Sequence, residues 1–190
     1  VDVSMAQDVQ QLSEVVVTAL GISRAKESLG YAVTEVNGDA VGQVNQTNVV
    51  NGLSGRVAGV QVTGATGNMG GSSRVTIRGI NSITGNNSPL FVVDGVVINN
   101  SDYNTTNTAR GAGGYDYGNL AQDINPEDIA DVSVLKRPNA AALYGSRGAN
   151  GVIMITTKKG TSKKGLGVRV NTGVSFEEIY ILPKYQKLYG

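Results

Sequence analysis

Side chains that ordinarily carry enzyme chemistry are sparse in these 190 residues, and two kinds are missing altogether: there is no histidine and no cysteine. The usual general base, the commonest metal ligand, the thiol nucleophile and the zinc–thiolate site are therefore absent. Ser146 sits in YGSRGANG (144–151) but not in a GxSxG elbow, and without histidine no standard triad can assemble around it. Gly145, Gly148 and Gly151 of the same stretch have neither GxGxxG nor P-loop spacing, and close backbone packing accounts for them better than phosphate binding. Asp94, Asp123, Glu127, Asp128 and Asp131 could in principle supply a pair of glycosidase carboxylates, but caps and turns explain most of them. Lys158, Lys159, Lys163 and Lys164 form a basic cluster that reads as a solvated turn after a strand. With a formal net charge of +1 there is no broad footprint for nucleic acid. These residues predict no catalysis, no bound metal or other cofactor, and no nucleic-acid partner.

The elements that must position any site are short and glycine-rich. Glycine accounts for 26 residues, against only two Phe and no Trp. That is about double the usual share of roughly 7%, so turns and close backbone approaches are many and the core modest. No run approaches the roughly 18–20 apolar residues of a membrane-spanning helix, and the absence of a charged, then apolar leader reads as a mature or trimmed N-terminus. The pattern predicts a strand over 31–36 with a turn at Asn37-Gly38-Asp39, then a helix over 47–57 capped by Thr47 or Asn48. Strands follow over 59–63 and 74–78, then a hairpin over 90–98 about Asp94-Gly95. Residues 99–119 form a long polar segment containing Tyr103, Tyr115 and Tyr117. A helical start at Asn125-Pro126, a strand over 132–135, a short helix over 140–144 and a strand over 151–157 complete the domain.

Two outlying segments differ from this body. Residues 14–19, EVVVTA, are a β-branched run between polar linkers, expected to be extended with nothing to pack on; the following stretch 21–28 shows no clear period. In the tail, Leu166, Val168, Val170, Thr172, Val174 and Phe176 alternate with Gly167, Arg169, Asn171, Gly173 and Ser175. About eleven alternating residues suit a transmembrane β-strand, and equally a half-buried strand of a soluble sheet.

Three segments taken together resemble one family. EVVVTA at 14–19 resembles a TonB box, PLFVVDGV at 89–96 resembles a plug motif, and IADVSVLKRPNAAALYGSRGANGVIMITTKK at 129–159 closely matches a plug signature. LSGRVAGVQV at 53–62, SRVTIRGINSI at 73–83 and LPKYQKLYG at 182–190 resemble the SusC/RagA-type branch of TonB-dependent outer-membrane transporters. The resemblance implies an α/β (α+β-like) plug, a small mixed sheet of about four strands with short helices, followed by the first strand of a transmembrane β-barrel. Its implied divisions are the tail of an upstream β-domain or linker (1–12), TonB box and linker (13–30), plug (31–160), and connector with first barrel strand (161–190).

The implied function is the gate of an outer-membrane nutrient importer. Glu14, Val15, Val16, Val17, Thr18 and Ala19 would bind the TonB C-terminal domain, driven by the ExbB–ExbD motor. Asp102, Tyr103, Tyr115, Asp116 and Tyr117 would face an oligosaccharide or peptide cargo. A SusD-like surface lipoprotein would act as lid, and some of Arg74, Arg78 and Arg147 would pair with carboxylates of the protein's own barrel wall. Arg137 stands before Pro138 where the family usually has glycine. If that position has positive φ, arginine is strained there by roughly 1–2 kcal/mol. The alternatives are a free-standing carbohydrate-binding or adhesin β-module with its ligand site on 99–118, and a transporter that also signals through a further upstream domain.

Overall fold

The computed structural model describes residues 15–17, 23–25, 33–42, 48–64, 71–83, 86–100 and 115–160, with Val170, Thr172 and Val174 beyond them. The chain divides into two units, Val1–Lys159 and Gly160–Gly190, and every described strand and helix belongs to the first. Its strands are β1 (Val15–Val17), β2 (Ser23–Ala25), β3 (Val33–Asn37), β4 (Val60–Thr63), β5 (Arg74–Ile77), β6 (Leu90–Val93), β7 (Val96–Ile98), β8 (Ile129–Leu135) and β9 (Val152–Thr157). Two helices, α1 (Gly38–Gly42) and α2 (Arg137–Tyr144), join short 3-10 turns between them.

Five strands form one mixed sheet in the order β3-β8-β9-β6-β7, and β1–β2 and β4–β5 form separate two-stranded pairs. Only β6–β9 is parallel within the large sheet. The most buried strands, β8 and β9, lie inside it, where both faces are covered. Alternation then divides β9 between two cores. Ile153 and Ile155 join Val132, Val134, Phe91 and Ile77 under the 3-10 turn Val49–Leu53 and the β4–β5 pair. Val152 and Met154 join Val92, Leu135 and Ala140 under α2.

Several elements form as their residues dictate. Asp94 (φ 47) and Gly95 (φ 86) both adopt the left-handed region that a tight β6–β7 hairpin needs. Asn125 accepts a hydrogen bond from the Glu127 amide, with Pro126 opening the turn behind it. Other expectations are corrected. The helix expected over 47–57 contracts to the 3-10 turn Val49–Leu53: Asn48 caps it, accepting from Val50 N at 3.1 Å, but Gly55 and Gly59 turn to positive φ and end it. The turn at Asn37-Gly38-Asp39 continues as α1, while the small mixed sheet is present as expected, with five strands. Arg137 is not strained. It opens α2, and the described non-glycine residues with positive φ are Arg78 and Asp94. Its Nη2 donates to the Gly79 carbonyl at 2.6 Å, tying α2 to the turn after β5. Residues 1–12 and most of 166–176 lie outside the described residues.

Candidate functional site

The proposed coupling segment forms a strand with a partner. Val15, Val16 and Val17 pair antiparallel with Ala25, Arg24 and Ser23, so the stretch without a clear period supplies a neighbour that was not expected. Among the described residues β1 has only that neighbour. Glu14, Thr18 and Ala19 lie outside the described residues.

At the other candidate site, Asp102 and Tyr103 also lie outside the described residues. Tyr115 and Tyr117 are 64% and 69% exposed, with ring centroids 6.1 Å apart and planes inclined by 45°. Asp116, between them, is turned inward. Its Oδ2 accepts from the Ser72 amide at 2.9 Å and the Ser72 hydroxyl at 2.8 Å, and its Oδ1 accepts from Gly118 N at 2.9 Å. The carboxylate thus fastens 115–118 to the start of β5, while the two rings remain outside.

Beside this anchor lies a cavity of about 210 Å³ at the starts of β5 and β6. Val75, Pro89 and Phe91 contribute apolar lining, while Arg74, Asn86 and Asn100 are among its polar residues. Buried amides hold its wall. Asn48 Nδ2 donates to Asn119 Oδ1 (3.1 Å), Asn119 Nδ2 to the Ser73 carbonyl (2.9 Å), and Ser73 Oγ to Asn51 Oδ1 (2.8 Å). Asn87 knots the β5–β6 loop by accepting from the amides of Asn81 and Ser82 and donating to the Ser82 carbonyl. Buried amides paired in this way fix one arrangement, because an unpaired one would cost about 1–3 kcal/mol. Sequence reading missed this cavity. The available signal was the accumulation of Asn and Ser at strand ends, which is also the signature of ordinary turns.

The opposite end of β6 holds carboxylates in structural work. Asp94 accepts from Thr157 N at 2.9 Å and from Thr157 Oγ1 at 2.6 Å, tying the β6–β7 turn to the end of β9. Asp131 Oδ1 is buried without a hydrogen-bond partner. Burial pushes the Asp131 carboxyl above its ordinary value of 3.8; the Thr156 and Ser133 hydroxyls partly counter this, and nearby Asp94 adds to it. Lys158 of the basic turn pairs with exposed Asp39 at 3.2 Å.

A small mixed sheet, covered on both faces by short turns and preceded by a separate valine strand, defines a plug-type domain. Residues 25–152 match the model of the TonB-dependent Receptor Plug Domain, and the chain belongs to that family. The family is one of receptors and transporters rather than enzymes. Its similarities are of the SusC/RagA type. The chain is 36% identical over 188 residues to TonB-dependent receptor P26 of Formosa agariphila, spanning 99% of this chain and 17% of the relative. It is 37% identical over 177 residues to TonB-dependent receptor SusC of Bacteroides thetaiotaomicron, spanning 93% and 16%. The RagAB peptide importer in its "open-open" state superposes with a TM-score of 0.61 at 28% identity, covering 80% of this chain and 15% of that one. The chain therefore spans about a sixth of the curated relatives it matches.

Proposed function

We propose that this chain is the gate of a TonB-dependent outer-membrane importer. It closes the lumen of its own β-barrel and passes on the pull of TonB so that an oligosaccharide or peptide can enter. The observation that carries this reading is the plug match over 25–152 with a short valine strand just upstream. β1 is the strand to which the TonB C-terminal domain adds a strand of its own from the periplasm. Main-chain hydrogen bonds then give affinity and alternate side chains give specificity. The ExbB–ExbD motor supplies the work, and a SusD-like lipoprotein covers the outer mouth, a partner in keeping with the SusC and RagAB likenesses. Tyr115 and Tyr117 face the cargo, with Asp116 as their anchor, and Asp102 and Tyr103 are further cargo contacts in this reading. Arg78 and Arg147, both exposed, suit carboxylates of the barrel wall.

Val16 provides the test. Val16→Pro removes a backbone donor and fixes φ, which strand addition tolerates poorly. Val16→Thr keeps the branch and the donor. Uptake by cells carrying each variant at equal surface levels should be lost with proline and nearly retained with threonine. Normal transport by the proline variant removes this segment from energy coupling.

A further inference from the structure

The cavity beside the tyrosine pair is lined by hydrogen-bond donors that the fold leaves without acceptors. Asn87, Asn119 and Ser73 are engaged in holding its wall. Asn86 and Asn100 each use only the oxygen of the side-chain amide: Asn86 Oδ1 accepts from Ser88 N at 2.8 Å, and Asn100 Oδ1 from Ala121 N at 2.9 Å. Their Nδ2 groups have no acceptor among the described residues, nor does the Ser88 hydroxyl. Arg74, exposed at the start of β5, makes no hydrogen bond or ion pair among those residues. Among the described residues no Asp or Glu lines the cavity. Asp116, which fastens the tyrosine pair, has its oxygens engaged by Ser72 and Gly118.

Donors without acceptors among the described residues, on a lining that includes Arg74, favour an acceptor-only group. A sugar hydroxyl both gives and takes hydrogen bonds and would leave part of this set idle; a carboxylate can take two parallel bonds from Arg74 and one from an amide. The remaining lining is apolar: Val75, Pro89 and Phe91. The cavity holds about 210 Å³. That is the space of roughly seven water molecules and suits one sugar ring. Tyr115 and Tyr117, fastened through Asp116 to Ser72 beside cavity residue Ser73, add flat faces on which the next ring can stack.

We propose that this cavity is a cargo subsite for the carboxylate-bearing ring of an acidic saccharide, a hexuronate. The proposal rests on the importer reading and makes its cargo an anionic glycan. Arg74 meets the carboxylate, Asn86, Ser88 and Asn100 complete the donor set, and the apolar lining takes the C–H face of the ring.

The test uses purified full-length transporter without TonB and a panel of oligosaccharides in matched pairs, each hexuronate-containing chain beside its carboxyl-reduced, neutral counterpart. At least one acid form should bind about tenfold or more tightly than its neutral partner, the scale of a charge-assisted bidentate contact. Arg74→Gln should abolish that preference, weakening the acid form about tenfold more than its neutral partner, and Arg74→Lys should restore part of it. The proposal is overturned if no pair is distinguished, if the preference survives Arg74→Gln, or if Arg74→Gln weakens the neutral chains equally. Preferential binding of an acidic peptide, weakened by the same substitution, likewise overturns the saccharide assignment. TonB-dependent uptake with Val16→Pro is measured separately, so the importer reading can stand when the subsite fails.

Discussion

Asp131 is a carboxylate half sunk in a sheet, with one oxygen buried and unpaired, and such a group ties folding to pH. Burial raises its pKa above 3.8, so the folded chain holds this proton more tightly than the unfolded chain does. The stability it contributes is fully present below 3.8 and is lost as pH rises through the raised folded value. Denaturation midpoints of the wild-type chain should therefore decline across that window relative to those of Asp131→Asn, which has no proton to lose. Parallel curves would show that the charge is accommodated without cost. Nothing at the level of residue type marks Asp131 apart from Asp128 three places earlier. The difference comes from β8 lying inside the sheet, between β3 and β9. Arg137 teaches the same lesson in reverse. Beside Pro138 it reads as strained, yet its backbone opens a helix and its guanidinium finds the Gly79 carbonyl across the fold.

At the scale of elements, the glycine spacing of 145–151 is explained by how α2 meets the turn that follows it. A Cβ on Gly148 would run into the Ala140 carbonyl, whose carbon lies 2.8 Å from that position, and backbone cannot move aside as a side chain can. Gly148→Ala should cost about 1–3 kcal/mol by overpacking. Gly160→Ala meets nothing within 4 Å and should be close to neutral. Chemical denaturation of the two variants checks the order, and equal midpoints would mean that α2 shifts freely. Strands were legible because β-branched runs bounded by Asn, Asp and Gly permit little else: β6, β7 and β9 fall within a residue of their expected bounds. The helix over 47–57 was misjudged because apolar spacing continued past glycines that take positive φ. The β1–β2 pair was illegible for another reason. Ser23-Arg24-Ala25 has no strand signal of its own and acquires one from its neighbour. The donor-lined cavity joins β5, the loop before β6, Asn100 and Asn119, and no local pattern announces such a meeting.

At the scale of the whole molecule, the chain spans about a sixth of the length of the curated relatives it matches, and the proposed importer needs a barrel wall around the plug. Residues 166–176 are where that wall would begin. Val170 and Val174, two of the alternating apolar positions, are 79% and 81% exposed. In water, such positions in a strand would be expected to seek cover; in a bilayer, lipid supplies it. The two settings make opposite demands on neighbouring residues. If this is the first barrel strand, Val170→Arg places a charge on the lipid face and should cost roughly 2–4 kcal/mol near the midplane. Asn171→Arg points into the polar lumen and should be much milder, because water solvates the added charge there. Assembly of the full-length protein into outer membranes, followed by heat-modifiability on gels and surface labelling, reads both substitutions in one experiment. The expected result is a sharp loss of assembled barrel for Val170→Arg and near-normal assembly for Asn171→Arg. Equal tolerance of both would place the segment in a watery environment and move the start of the wall further along the chain.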